Sequence, residues 1–393
     1  MLISISTIYI KRIPSDSYPT REGTFVFDFV CEWEASDNWE DFTNKAKITL
    51  PKNVYYTDRN GRKVNLGNTA TPLSGFEGIP SFLKGDEVEI VSGYRYRINN
   101  QEIVDYAVKF EGFISQVSSK KPFVLECEDN MWKLKQIPAP NKLFRAKNYD
   151  LEGILKELLT GTGFTVNTLT QTSIGDFRTQ NETICDVLAR LRKEFHFESY
   201  FRGTELRCGS VVYIESEAKT HKFIFQQNII DDDLTYNRKD DIVLSAIAYS
   251  INKNELQTVT KDGHKKTKHE RLEVLVTYQR GTFVNKVKAP GQKAEFPPNY
   301  TGERRTLYFW NVTDINLLTK MAQDELMKYY YTGFKGKFTT FGIPHVKQGD
   351  NVRIEDKVLT DRNGTYKVKG VEYSGGVNGM RQVIELDYKL NIS

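Results

Sequence analysis

Lys84-Gly85-Asp86-Glu87-Val88-Glu89-Ile90 and, near the other end of the chain, Gln348-Gly349-Asp350-Asn351-Val352-Arg353-Ile354 give one instruction twice. In each, a Gly-Asp turn opens a strand of alternating residues. A glycine-containing strand follows each, Val108-Lys109-Phe110-Glu111-Gly112-Phe113-Ile114 and Tyr366-Lys367-Val368-Lys369-Gly370-Val371-Glu372. An acidic strand closes each, Phe123-Val124-Leu125-Glu126-Cys127-Glu128 and Gln382-Val383-Ile384-Glu385-Leu386-Asp387. A lysine-initiated strand running to proline precedes each, Lys47-Ile48-Thr49-Leu50-Pro51 and Lys337-Phe338-Thr339-Thr340-Phe341-Gly342-Ile343-Pro344. One Gly-Asp strand is a common β signal. Four blocks in the same order favour duplication of a β unit, with Gly112 matched to Gly370. The unequal spacing from Gly85 to Gly112 and from Gly349 to Gly370 is the weak point of that match.

The rest of the chain sets limits. At 393 residues it is too long for one ordinary domain. Its 55 basic and 51 acidic residues leave a formal charge of +4, which argues for neither nucleic acid nor an anionic membrane as main partner. Phe and Tyr, at 23 and 21 copies, favour strands. Cys31, Cys127, Cys185 and Cys208 form no CxxC pair, so free thiols in a reducing compartment are expected. The N-terminal stretch alternates Leu2, Ile3, Ile5, Ile8 and Ile10 with Ser4, Ser6 and Thr7, which is strand patterning and not a signal peptide. No apolar run is long enough to span a bilayer, so no membrane insertion is expected, and folding in a cytoplasm follows.

Four regions emerge. Residues 1–140 hold the first β unit, with a long loop at 51–80 around the turn dipeptide Asn60-Gly61. Residues 141–210 change to α/β character. Asp150 is placed to cap a helix carrying Leu151, Ile154, Leu155 and Leu158, ended by Gly161 and Gly163. Asn181 is placed to cap a second helix carrying Ile184, Val187, Leu188, Leu191 and Phe195. A strand pair then turns at Arg202-Gly203. Residues 211–335 are a connecting β region. It contains the buried run Ile242 to Ile251, a basic hairpin excursion around Asp262-Gly263, and a helix capped by Asp314 with Ile315, Leu318, Met321, Ala322 and Tyr329 on one face. Residues 336–393 are the core of the second β unit.

Catalytic signatures are missing: the sequence has no P-loop, GxSxG elbow or HExxH helix. His196, His221, His264, His269 and His345 are scattered, and no catalytic, cofactor-binding or metal-binding residue is nominated. Asp231-Asp232-Asp233 lacks EF-hand spacing and is expected to be a solvated turn before a strand at Leu234. Glu126 and Glu128 share a strand face, which keeps a carbohydrate-active or carbohydrate-binding β scaffold open as an alternative. Lys261, Lys265, Lys266, Lys268 and Arg271 keep a nucleic-acid-binding module open, although no aromatics are interleaved for stacking.

This layout resembles the baseplate hub of contractile phage tails, a family that includes the late-control tail proteins of Mu-like phages and the hub half of the type VI secretion spike. The resemblance rests on Ser81-Phe82-Leu83-Lys84-Gly85-Asp86-Glu87-Val88, Glu111-Gly112-Phe113-Ile114-Ser115, and Leu125-Glu126-Cys127-Glu128-Asp129-Asn130-Met131-Trp132-Lys133-Leu134. It rests also on Val187-Leu188-Ala189-Arg190-Leu191-Arg192-Lys193, and on Phe338-Thr339-Thr340-Phe341-Gly342-Ile343-Pro344 before Gly349-Asp350. It implies a mainly β protein: two tail-tube-like β-barrels flanking a small α/β domain. It further implies a non-enzymatic virion protein of the tail baseplate, a homotrimer whose six β units join a six-fold tail tube, or its distal tube-initiator protein, to a three-fold central spike. No lysozyme-like domain or β-helical needle follows the last strand, so a separate spike protein is expected. Tape-measure and wedge proteins are further candidate contacts. No cofactor and no sequence-specific nucleic acid are implied.

Overall fold

The computed structural model describes residues 2–51, 55–57, 63–65, 81–118, 122–168, 173–210, 213, 218–259, 265–288, 293–310, 312 and 314–390, with backbone alone for 55–57, 63–65, 240, 251–259 and 265–271. The turn at Asn60-Gly61 and the excursion tip with Lys261, Asp262, Gly263 and His264 lie outside the described residues.

The first half begins with β1 (Ile3–Lys11), β2 (Thr24–Phe27), β3 (Glu32–Asn38) and β4 (Lys45–Thr49). The short pair β5 (Tyr55–Thr57) and β6 (Lys63–Asn65) follows, then the long strands β7 (Glu87–Ile98) and β8 (Gln101–Val117), and β9 (Val124–Glu128). The α/β region contains α1 (Met131–Leu134), β10 (Lys142–Phe144), α2 (Leu151–Leu158), β11 (Thr165–Asn167), β12 (Phe177–Thr179), α3 (Ile184–Phe195), β13 (Glu198–Arg202) and β14 (Glu205–Gly209). Next come β15 (Thr220–Ile224), β16 (Ile229–Asn237), β17 (Leu244–Val259), β18 (Lys265–Gln279), β19 (Thr282–Val287), β20 (Glu303–Trp310) and α4 (Ile315–Met327). The chain closes with β21 (Gly333–Phe341), β22 (Asn351–Glu355), β23 (Gly364–Gly376) and β24 (Arg381–Leu390).

One 13-stranded sheet dominates, in the order β16-β21-β24-β23-β3-β4-β9-β8-β7-β1-β2, with β22 on β23 and β15 on β22. Both duplicated units lie in it, and their strand orders agree. Unit one runs β4-β9-β8-β7; unit two runs β21-β24-β23-β22. The registers agree as well. Lys47 faces Glu126 as Lys337 faces Glu385. Glu126 faces Gln116 as Glu385 faces Gly370, and each ladder slips one step earlier, between Ile114 and Gln116 and between Val368 and Gly370. A β-bulge inserts one residue into one strand, so Ser115 and Lys369 are equivalent.

The glycine block does not align as the sequence suggested. Gly112 faces Val88, and the residue facing Val352 is Tyr366. Ile114 therefore matches Val368, and Gly370 matches Gln116. Each glycine has its own close neighbour. A Cβ at Gly112 would lie 2.1 Å from the Glu128 carbonyl oxygen, whereas one at Gly370 would meet the Asn38 side chain at 2.9 Å. The two units also differ at their outer flank: β1 pairs antiparallel to β7, but β15 pairs parallel to β22.

A single apolar cluster underlies both units, from Ile8, Trp33, Ile48 and Phe110 to Phe338, Tyr366, Tyr373 and Ile384. A second cluster forms the α/β region, where α2 and α3 bury Leu151, Ile154, Leu155, Leu158, Ile184, Val187, Leu188 and Leu191 beside the sheet β11-β14-β13. Asp150 caps α2 by accepting the Gly153 N–H at 2.8 Å. The cap of α3 is Thr183, in a reciprocal box with Asp186, and not Asn181, which has φ 51°. The third cluster packs α4 on the four-stranded sheet β19-β18-β17-β20. Asp314 caps α4 as expected, but Leu326 belongs to its buried face and Met321 is exposed. The β17–β18 ladder extends to Val259 and Lys265, so the basic excursion is a long hairpin.

Candidate assembly surface

Each Gly-Asp turn is anchored by its carboxylate. Gly85 and Gly349 have φ +91° and +81°, a backbone state that glycine adopts at little cost. The Gly85 N–H donates to the Ile114 carbonyl as the Gly349 N–H donates to that of Val368, at 2.9 and 3.0 Å. Asp86 accepts the N–H groups of Ile13 and Leu83 at 3.1 and 2.9 Å and N–H groups from both terminal nitrogens, Nη1 and Nη2, of the Arg21 guanidinium. That ion pair is almost fully buried. Asp350 accepts the N–H groups of Lys219 and Lys347 at 3.3 and 3.0 Å and the Nε2–H of His221 at 3.0 Å. Burial is the largest influence on Asp350 and pushes its pKa up. The His221 bond and the two backbone N–H groups outweigh it and hold the carboxyl below its usual value.

The units meet where β3 of unit one pairs antiparallel with β23 of unit two, from Asn38 opposite Gly370 to Glu32 opposite Gly376. Trp33, fully buried, donates from Nε1 to Ser6 Oγ at 3.0 Å. The Gln348 N–H donates to Asp37 at 3.1 Å, and the Tyr373 hydroxyl donates to the Val346 carbonyl at 2.6 Å. A polar relay sits beside this seam. Asp105 accepts from His345 Nε2 at 3.0 Å, so Nδ1 of that ring is left to accept from Lys109 Nζ at 2.9 Å. Burial first, then the nearby Lys347 charge, lowers the Lys109 pKa to about 7. Burial, then Lys109, also lowers that of His345.

The opposite side of this seam is wet. Alternation along β3, β4, β9 and β23 turns Glu34, Lys45, Lys47, Glu126 and Glu372 outward, around an open trough of about 650 Å³. Glu126 and Glu128 therefore lie on a broad sheet face, with Lys135 against Glu128 at 2.5 Å. Asp231-Asp232-Asp233 is not a turn: it lies inside β16, with all three residues exposed. β16 pairs only with β21 among the described strands, so its other side is a sheet edge.

The histidines are dispersed. His221 belongs to the Asp350 turn, His345 to the seam, and His196 stacks on Tyr308 with centroids 3.5 Å apart. Of Lys265, Lys266, Lys268, His269 and Arg271 only the backbone is described, as part of β18. Among the described residues no group of three or more His, Cys, Asp and Glu is placed to hold a metal ion, and no helix is long and apolar enough to cross a membrane. The seam was invisible as a site in sequence. Its one local signal is the pair of Gly-Asp turns that set the strands on either side.

No protein-family model matches the chain, and no curated protein matches it by sequence. Solved structures do match. A tail protein from Neisseria meningitidis MC58 superposes with a TM-score of 0.53 at 11% identity, covering 99% of this chain and 97% of that one. The 43 kDa tail protein of prophage MuSo2 from Shewanella oneidensis gives 0.48 at 12% identity over 97% and 98%. The Escherichia coli c3393 protein, a component of the type VI secretion system, gives 0.44 at 8% identity over 92% and 74%. Over nearly its whole length, this mainly β chain has the fold of the Neisseria tail protein.

Proposed function

We propose that this chain is a structural hub of a phage tail baseplate or related injection machine. Three copies close into a ring, and their six β units present a six-fold-like surface to a tail tube while the trimer as a whole receives a three-fold spike. Residues 1–140 and 336–393 form the tube-like parts, 141–210 the small α/β domain, and 211–335 the connection that also supplies strands to the second unit. The role is symmetry matching and load transfer, without bond chemistry. One observation carries this reading: the two units share strand order and register and already join edge to edge through β3 and β23. A chain that stacks two such units in series and leaves a further edge at β16 has the parts of a cyclic assembly, and closure covers edges that would otherwise aggregate. The shared fold with a tail protein supports the same role. Sedimentation equilibrium or native mass measurement at micromolar concentration tests it. A three-chain particle is expected; a stable single chain overturns the ring.

A further inference from the structure

Three cationic side chains from three parts of the fold line one polar cavity beside the seam, of about 170 Å³. Lys109 comes from unit one. The β7–β8 ladder steps from Phe110 opposite Ile90 to Val108 opposite Val91, so Lys109 is the extra residue of a bulge. Such a residue is left out of the ladder and its side chain is re-aimed. That of Lys109 is buried, with Nζ 4.8 Å from the Tyr373 ring centroid and bonded to His345 Nδ1. Lys347 leads into the Gly-Asp turn of unit two, its N–H fixed on Asp350 at 3.0 Å. Arg202 ends β13 in the α/β region. Among the described residues none of the three forms a salt bridge, and the side chains of Arg202 and Lys347 have no hydrogen-bond partner.

From this we infer that the cavity is an anion site, built for one tetrahedral oxyanion of the phosphate class. Arg202 and Lys347 both act on the Asp37 carboxyl, and Lys347 acts on Lys109 as a like charge, so the three cations are close together. An oxyanion among them relieves that repulsion and accepts charge-assisted hydrogen bonds. The size agrees. About 10–15 Å³ suffices for one water, so the cavity has room for an oxyanion with part of its hydration. Three carboxylates also line it. Glu111 is exposed, and Asp37 accepts the Gln348 N–H at 3.1 Å. The two oxygens of Asp129 accept the N–H groups of Asn44 and Met131 at 3.1 and 3.0 Å. Burial raises the Asp37 pKa and carries that of Asp129 to about 7, which lessens the negative charge an anion meets. A bound oxyanion ties unit one, unit two and the α/β region together at one point, whatever the assembly of the copies.

The test is calorimetric titration of inorganic phosphate into the full-length chain at pH 7, in chloride buffer at constant ionic strength so that general screening does not change. Saturable binding at one site per chain is expected. Arg202→Gln and Lys347→Gln are each expected to raise the dissociation constant at least about tenfold, the loss of one hydrogen bond to a charged group. Lys347 is exposed, so its variant decides the matter if Arg202→Gln fails to fold. Lys357→Gln removes the same charge from an exposed position outside the cavity, and its affinity is expected to stay within about twofold. No saturable binding, or parent-like affinity in either folded cavity variant, overturns the site. Equal weakening by all three substitutions means an adventitious ion only and overturns it as well.

Discussion

Asp86 and Asp350 occupy the same position in two different electrostatic settings. Each accepts the N–H of the residue three places before it and an N–H from a strand-flanking segment, Ile13 or Lys219. The third partner differs: a buried guanidinium, Arg21, for Asp86, and an imidazole, His221, for Asp350.

That difference predicts unequal costs. Asp86→Asn removes the carboxylate charge from a buried ion pair with Arg21 and is expected to destabilise by about 3–5 kcal/mol. Asp350→Asn removes charge-assisted hydrogen bonds from a site whose side-chain partner is an imidazole, and about 1–3 kcal/mol is expected. Chemical denaturation of both variants checks the order. A larger loss for Asp350→Asn would contradict it. Asp350 has a pKa held below 3.8, so its contribution is complete above that value and is lost as pH falls through the lower folded value. Acid titration of stability should be shallower in Asp350→Asn than in the parent.

The seam has no room to spare at Gly375. A Cβ there would lie 2.4 Å from Trp33 Nε1, and the indole is fully buried and bonded to Ser6. Gly375→Ala is expected to cost about 1–3 kcal/mol by overpacking. Trp33→Phe in the same chain should recover part of this, because the smaller ring vacates the contact. An additive loss in the double variant would show that the contact is not responsible.

Lys109 predicts an alkaline dependence. Its folded pKa of about 7 lies below the ordinary 10.5, so between those values the unfolded chain binds a proton that the folded chain refuses. Stability from this group therefore rises with pH across that window, by at most about 1.4 kcal/mol per pH unit. The charged groups around it are Asp105, Asp37 and Lys347, and the neutral His345 ring accepts its hydrogen bond. Lys109→Met should flatten the rise when denaturation midpoints are compared at pH 7, 8 and 9. An unchanged slope would exclude Lys109 as its source.

Glu128 and Lys135 form a partly exposed pair, so Glu128→Gln is expected to cost less than about 1 kcal/mol and to leave the melting temperature within a few degrees. A collapse of the fold would mean that the wet face of the sheet is structural beyond its charge.

Much of the strand content was legible because period-two alternation and Gly-Asp turns are local. The caps at Asp150 and Asp314 were legible for the same reason. Asn181 was misassigned because Thr183, two residues on, offers a side chain of similar chemistry and only the backbone decides which one caps. The acidic run was placed in a turn because three consecutive aspartates oppose strand propensity; pairing with β21 overrides that preference.

By itself the sequence determined that the chain carries two related β units around an α/β segment, since order, alternation and turn chemistry are written residue by residue. Only the tertiary structure decided how they correspond. Gly112 and Gly370 look equivalent in the sequence, yet each is a glycine because a different neighbour approaches its backbone, Glu128 in one unit and Asn38 in the other. Close approach is a property of strands brought together from distant parts of the chain, as β3 is to β23, and no local pattern encodes it.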